Sequence, residues 1–396
     1  MKTLTSLAIV LLLFFNCSPD TDVQTVEMEP QLTDVLSLEL AFGADDEKIP
    51  EDYLLVEPRG IIIHDNGDII VSDEGYLKVF DKNGNPKRMV GRPGAGPGEF
   101  HPFMTPTLSE TGYITGANQT SFNLFDKNYS LIEYENFRLS SIYEKLKEIN
   151  NWTSVSPGTI YAYSPDERVI IAKAYSTDED GKRKTLSACI YQNKEQLTTI
   201  AESEVIYYTV DRLTRFLEED GNLHVASLPD RKIVYTHTGK NRIKENDAWY
   251  YSMYLYDLKT NEQTEIKHSY NPVAIPDSVI NVKLMHTEGM PEEMVKQQEK
   301  TLKQWGEILK KIRIYPTLRK IITDRNFIFA FTYTYNTANG HVVEIFDGSA
   351  GEYLHPVYFS FIPNVIKNGY AYRQNINEEG FPVVEKYKID PAVYGK

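Results

Sequence analysis

The chain has 396 residues, 41% hydrophobic and 25% charged, an ordinary globular composition long enough for two average domains or one large repeat array. Its formal net charge of −14 argues against nucleic acid as a partner, because phosphate neutralisation needs clustered Lys and Arg, and disfavours direct binding to anionic lipid. The aromatics are skewed, with 27 Tyr and 17 Phe against 3 Trp, and Tyr and Phe favour strands.

The N-terminus reads MKTLTSLAIVLLLFFNC. One lysine precedes an apolar run from Leu4 to Phe15, too short to span a bilayer but suited to a secretory signal core. A cysteine follows at Cys17. This resembles a bacterial lipoprotein signal, with Phe14 and Asn16 in a loose box like those of Bacteroidetes. The resemblance implies that residues 1–16 are removed and Cys17 is lipidated. It also implies an exported protein held at the outer membrane, facing either the periplasm or the cell surface. An ordinary signal peptide with an incidental cysteine is the alternative. Removing residues 1–16 deletes one lysine, Lys2, and leaves a charge of 41 − 56 = −15. The polar, acidic residues 17–32 read as a flexible tether. Cys189, in the alternating run LSACIYQ, reads as a small buried hydrophobe. With no second thiol in the body of the chain, no disulfide framework is expected.

An internal repeat begins at Ile61. Shifting IIIHDNGDIIVSDEGYLKVFDKNGNPK by 45 residues gives PTLSETGYITGANQTSFNLFDKNYSLI, which aligns Gly67 with Gly112, Ile69 with Ile114, and Phe80-Asp81-Lys82-Asn83 with Phe125-Asp126-Lys127-Asn128. An aromatic-polar pair recurs at Phe80-Asp81, Phe125-Asp126, Tyr191-Gln192, Tyr256-Asp257, Phe346-Asp347 and Tyr387-Lys388, with spacings of 45, 66, 65, 90 and 41. Each is preceded by a turn and an alternating apolar run: DNGDIIV, ETGYIT, PDERVIIA, EDGNLHV, TDRNFIFAF and KNGYAY. Six such units predict an all-β, six-bladed β-propeller of four-stranded antiparallel blades over residues 33–396.

The longer spacings call for insertions. Residues 173–184 and 237–248 are expected as long hairpin loops of the third and fourth units. The 90-residue gap holds PEEMVKQQEKTLKQWGEILKKI (291–312), a predicted helix before blade five. It opens with Pro and two glutamates, and Val295, Leu302, Trp305, Leu309 and Ile312 share a face. It reads either as an insertion packed on the propeller or as a lid or partner-docking element. SIYEKLKEIN (141–150) is a second helical candidate. The sixth unit ends too early for an outermost strand, whereas LSLELAF (36–42) alternates and has no blade of its own. It is expected to supply the missing strand and close the ring, removing exposed sheet edges.

GRPGAGPGEF (91–100), set after Gly67, Asp73, Phe80, Asp81 and Gly84, is similar to the NHL-type propeller repeat. Gly91, Gly94, Gly96, Pro97, Gly98, Glu99 and Phe100 stand where that repeat has them, and His64 stands where aspartate is usual. The whole chain resembles the six-bladed propeller lipoproteins of Bacteroidetes. Physically, the segment lets the chain leave one blade and dive to the inner strand of the next. Glycine supplies the positive φ, Pro97 stiffens the path, and Phe100 anchors between blades. A phosphate-binding loop would need Gly-Lys-Ser/Thr before a helix, and neither is present.

No catalytic motif or metal-ligand spacing emerges, and no cofactor is expected. None of the eight histidines falls in a local ligand pattern. The carboxylate runs at 45–46, 178–180 and 218–220 read as solvated loop charge. AWYYSMYLY (248–256) is expected to be buried on both faces between blades, with Trp249 a candidate for stacking on a sugar or partner. Arg59 and Arg92 are candidate ligands for an anionic group at one propeller end. The expected function is a binding or scaffolding module, monomeric, for an envelope protein or a small-molecule or glycan ligand, touching membrane only through Cys17. A channel-sited lyase or hydrolase, metal-dependent or not, and an accessory of glycan uptake are the alternatives.

Overall fold

The computed structural model describes residues 32–44, 49–118, 121–137, 141–177, 181, 183–210, 213–215, 221–239, 242–284 and 289–395. The signal peptide, Cys17 and residues 17–31 of the tether therefore lie outside the described residues, as do the acidic runs at 45–46, 178–180 and 218–220.

Six four-stranded antiparallel meanders form a closed ring, a six-bladed β-propeller. From the axis outwards, blade 1 contains Gly60–Ile63, Ile69–Asp73, Tyr76–Phe80 and Pro86–Val90, and blade 2 Thr105–Leu108, Ile114–Ala117, Ser121–Phe125 and Leu131–Asn136. Blade 3 contains Ser154–Ser164, Glu167–Thr177, Arg183–Asn193 and Gln196–Glu204, and blade 4 Leu223–Leu228, Lys232–His237, Ala248–Asp257 and Gln263–Tyr270. Blade 5 contains Lys320–Asp324, Phe327–Asn336, Gly340–Asp347 and Glu352–Phe359. Blade 6 contributes Val365–Lys367, Tyr370–Ile376 and Pro382–Ile389, and its outermost strand is Leu36–Phe42, paired antiparallel from Leu36↔Ile389 to Phe42↔Val384. The N-terminal strand thus closes the ring as expected.

A meander needs the apolar alternation of each strand to meet the next blade, and six buried clusters fill the six junctions. Ile62, Val79, Phe100, Met104 and Phe125 join blades 1 and 2, and Phe42, Ile61, Phe80, Tyr372 and Val384 join blades 6 and 1. The recurrent aromatic-Asp pair ends the third strand. Its aromatic enters the junction, and its aspartate accepts backbone N–H groups of the following turn. Asp81 takes Asn83 and Asn85, Asp126 takes Asn128 and Ser130, Asp257 takes Lys259 and Thr260, and Asp347 takes Ser349. This is an Asx turn, the mechanism by which Asp favours such positions. His64 does a related job in the turn between the first two strands of blade 1: its Nδ1 accepts the Asn66 N–H at 3.3 Å.

The turns between first and second strands, and between third and fourth, gather at one end of the ring, here the turn end. The second-to-third hairpins and the connections between blades gather at the other, the crossing end. Every long insertion is at the crossing end. Between blades 1 and 2 runs the Gly-rich segment, with Gly91 (φ 76) and Gly98 (φ 72) in the left-handed region. A Cβ on Gly91 would sit 2.3 Å from the Phe100 ring. Phe100 is 1% exposed and anchors the crossing. Between blades 2 and 3 lies the helix Ser141–Asn150, and between blades 4 and 5 the helix Glu292–Ile312. The latter buries Leu309 against Ile275, Trp305, Ile312 and Tyr315, the face that its sequence spacing marked.

Three sequence expectations need correction. Of residues 173–184, 173–177 and 183–184 are strand and not loop, pairing Lys173↔Ser187 to Thr177↔Arg183, because the alternation of Lys173-Ala174-Tyr175 continues the strand. Residues 237–248 contain a further strand, Ile243–Glu245, which returns on Ala248–Tyr250. The fourth unit stands one strand out of phase with the expected repeat. Its NLHV run forms the innermost strand of blade 4, and the turn before the second strand is Pro229-Asp230-Arg231.

Candidate functional site

The innermost strand of each blade pairs on one side only. Its other edge faces the axis, where the six strands surround a channel of about 580 Å³. Enclosing these edges protects them from pairing with other chains. Apolar side chains including Ile61, Ile63, Val225, Leu228, Ile322 and Val365 line the channel, with Thr105, Tyr161, His224, Lys320 and Asn364 among the polar ones. The volume is that of a small-molecule site, with a mixed lining in which polar residues are about as numerous as apolar ones. Burial pushes the His224 imidazole down to about 4, so it is neutral near pH 7, and the nearby Lys320 charge acts in the same direction. Burial pushes the Tyr161 phenol up to about 12.

The turn end is tied at every junction. Tyr129 donates to Asp68 across blades 1 and 2 (2.8 Å), Thr111 Oγ1 to the Tyr163 carbonyl across blades 2 and 3 (3.0 Å), and Thr323 Oγ1 to the Ser227 carbonyl across blades 4 and 5 (2.6 Å). Asn368 and Gly369 N–H groups of blade 6 donate to the buried Asp324 carboxylate of blade 5 at 2.6 and 2.9 Å. Lys367 pairs with Asp65 across blades 6 and 1 at 3.0 Å. The decisive contact reaches further. Glu110 of blade 2 accepts the backbone N–H of Arg231 of blade 4 at 2.9 Å and pairs with its guanidinium at 3.4 Å, passing across the end of blade 3. Arg231 also pairs with Glu167 of blade 3 at 3.3 Å and stacks on Tyr163, 4.7 Å from the ring centre. Asp230 and Arg231 both hold positive φ, 63° and 64°, a sparsely populated region for such residues. Blades 2, 3 and 4 are therefore clamped together at the turn end, while the crossing end is framed by the long connections.

Arg59 and Arg92 both lie on crossing-end connections, yet neither lines the channel. Arg59 pairs with Glu57 and lies over Phe103, 4.9 Å from its centre. Arg92 pairs with Glu99 at 2.8 Å. Glu99 also accepts the N–H groups of Ala95 (3.1 Å) and Gly96 (2.9 Å), so the loop's own carboxylate fills the place an anion would take. Each of the two arginines is thus paired with a carboxylate of its own connection. Trp249 is half-buried at the crossing end of blade 4, opposite Lys244 and Tyr270. Its neighbours Tyr251, Ser252 and Met253 are fully buried, as two-sided packing predicts. Among the described residues no three of His, Cys, Asp and Glu gather as a metal site, and no helix is long and apolar enough to cross a membrane. The long helix contributes nothing to the channel lining.

The channel-lining set was hidden from the sequence, because its residues come from six separate strands with no common spacing. The available signal was the position of each innermost strand within the repeat.

Fold and site together define a six-bladed propeller with an axial channel. No protein-family model matches the sequence, and no curated protein matches it. Solved structures of similar form include a Bacteroides fragilis protein assigned as exported (11% identity, TM-score 0.45, covering 91% of this chain and 97% of that one). They also include a gluconolactonase of Xanthomonas campestris (10%, TM-score 0.38, 89% and 98%) and the WD40 domain of Neurospora crassa Pan2 (9%, TM-score 0.34, 84% and 75%). At these values they are likenesses of overall form, and no activity is taken from them.

Proposed function

We propose that this chain is a binding protein of the bacterial cell envelope, lipid-anchored through Cys17 and tethered by residues 17–32, which takes a small ligand into its axial channel from the crossing end. One observation supports the binding reading: an axial channel of about 580 Å³ is lined by residues of all six blades and spanned at its turn end, over blade 3, by the Glu110–Arg231 contact. The anchor rests on the sequence around Cys17. Two experiments test the halves separately. Native mass spectrometry of the chain purified from envelopes should find a bound small molecule that is lost on Thr105→Trp, since Thr105 is exposed and lines the channel where the inner strand of blade 2 begins. A folded Thr105→Trp protein with unchanged ligand load would sink the channel reading. Cys17→Ser should move the protein from the membrane to the soluble fraction, and persistence in the membrane would sink the anchor.

A further inference from the structure

The charged residues of the channel are unevenly placed. Four charged side chains line it: Glu110, Lys320, Arg325 and Lys367. All three cations stand on blades 5 and 6. Lys320 opens the inner strand of blade 5, Arg325 follows that strand's end, and Lys367 ends the inner strand of blade 6. The lone acid stands on blade 2 and is engaged by both the backbone N–H and the guanidinium of Arg231.

The counter-charges near the cations are occupied or outside the lining. Asp324 pairs with Arg325 at 3.0 Å. It is 1% exposed, also accepts from two backbone N–H groups and the Tyr394 hydroxyl, and does not line the channel. Asp65, which pairs with Lys367, has a side chain 55% exposed, where solvent screens its charge. Arg325 is held in place on the Tyr394 ring, 4.3 Å from its centre. Its Nη2 lies 3.9 Å from the point where a Cβ of Gly369 would stand, two residues from Lys367. The Lys320 ammonium is positioned by the Pro363 and Asn364 carbonyls at 2.7 and 3.2 Å. A chain with a net charge of −14 thus sets three cationic side chains along one wall of its channel, with those of Arg325 and Lys367 ion-paired and 43% and 29% exposed. The flanking blades 1 and 4 contribute aliphatic residues, Ile61, Ile63 and Val225, and the facing blades 2 and 3 contribute Thr105, Thr107, Thr159 and Tyr161.

We infer that the channel binds a small organic anion, an apolar body bearing one carboxylate, sulfonate or phosphate group, with that group held by Arg325 and Lys367 and drawn in past Lys320. This rests on the channel being the ligand site. The test uses the full chain in lipid nanodiscs, with empty nanodiscs subtracted. It is titrated with 8-anilinonaphthalene-1-sulfonate and with its uncharged parent N-phenyl-1-naphthylamine, which share one apolar body. The sulfonate should bind about tenfold or more tighter at low salt and lose that advantage at high salt. Lys367→Gln and Arg325→Gln should each weaken the sulfonate about fivefold and leave the uncharged probe unchanged. If Arg325→Gln disturbs folding, Lys367→Gln carries the test alone. Thr105→Trp should abolish binding of both probes. Equal affinities for the two probes, with both lost on Thr105→Trp, would overturn the anion and keep the channel. No binding of either probe, or binding indifferent to Thr105→Trp, would overturn the channel reading and this inference with it.

Discussion

Gly116, in the second strand of blade 2, tests how tightly the blade 1 to blade 2 crossing is packed. Its φ is not in the left-handed region, so alanine adds a methyl and no backbone strain. That methyl would lie 2.6 Å from Cε1 and 3.1 Å from Cδ1 of Phe100, and 3.0 Å from the Met104 sulfur. Overpacking of this kind costs about 1–3 kcal/mol. Replacing a strand glycine by alanine returns about 0.5–1 kcal/mol of that. Phe100 is 1% exposed and lies 5.6 Å from the Phe125 ring, so Phe100→Ala alone should cost about 3–5 kcal/mol. In the double variant the methyl added by Gly116→Ala enters space the ring has left. The pair should therefore be less destabilising than the sum of the singles by about 1–3 kcal/mol. Equilibrium urea unfolding of the four proteins measures this, with equal m-values required for the comparison. Additivity within about 0.5 kcal/mol, or a Gly116→Ala protein more stable than the parent, would refute the packing argument.

Deleting residues 33–43 removes the Leu36–Phe42 strand and the buried Phe42, whose ring centre lies 4.7 Å from that of Phe80. It should lower the thermal midpoint by at least about 5 °C, and an unchanged midpoint would refute ring closure by this strand. Burial pushes the Asp68 carboxyl up, but hydrogen bonds from Lys87, Tyr129 and Asn66 outweigh it and hold the group below its ordinary 3.8. A depressed folded-state value means that this stability is complete above the ordinary value and is lost as the pH falls through the folded one. Asp68→Asn should cost about 1–3 kcal/mol at neutral pH and flatten that part of the acid limb. A variant with the parent's acid limb would contradict the assignment. The buried Cys189 thiol is pushed up to about 12, so at pH 8 it should react with a thiol reagent only as fast as the fold opens. Labelling within seconds under native conditions would show that the blade 3–4 junction is not closed around it.

The ring was legible because its signature has a mechanism: an aromatic that fills a blade junction followed by an aspartate that folds the next turn. That pair marks the end of every third strand, including Tyr191-Gln192 and Tyr387-Lys388, where the aspartate is lost. The helices at 141–150 and 292–312 were legible from one apolar face each. Strand length was not. Lys173 to Thr177 are polar enough to pass for a loop, and only pairing with Arg183 to Ser187 makes them strand. The phase of blade 4 was hidden because a turn residue before NLHV looks the same whether it opens a blade or divides one. The site was the least legible part. Arg59 and Arg92 were conspicuous in the sequence but are held by Glu57 and Glu99. Glu110 and Arg231 stand 121 residues apart, and only the packing of blades 2, 3 and 4 side by side brings them together.

Closure of the ring also sets an order of events. The outermost strand of blade 6 is made near the start of the chain, yet its partner Pro382–Ile389 comes some 350 residues later, the separation of Ser37 from Lys388 being 351. Blades 1 to 5 can each form from contiguous chain as it emerges. Leu36–Phe42 has to wait with its apolar side chains unmatched until the last blade arrives. Contacts of such long sequence separation form late and slowly, and an unpaired strand in the interval is an aggregation hazard. On the proposed route of export, a chain that crosses a membrane unfolded has its most vulnerable segment emerge first and its protector last, so a holding chaperone would have most to guard at residues 36–42.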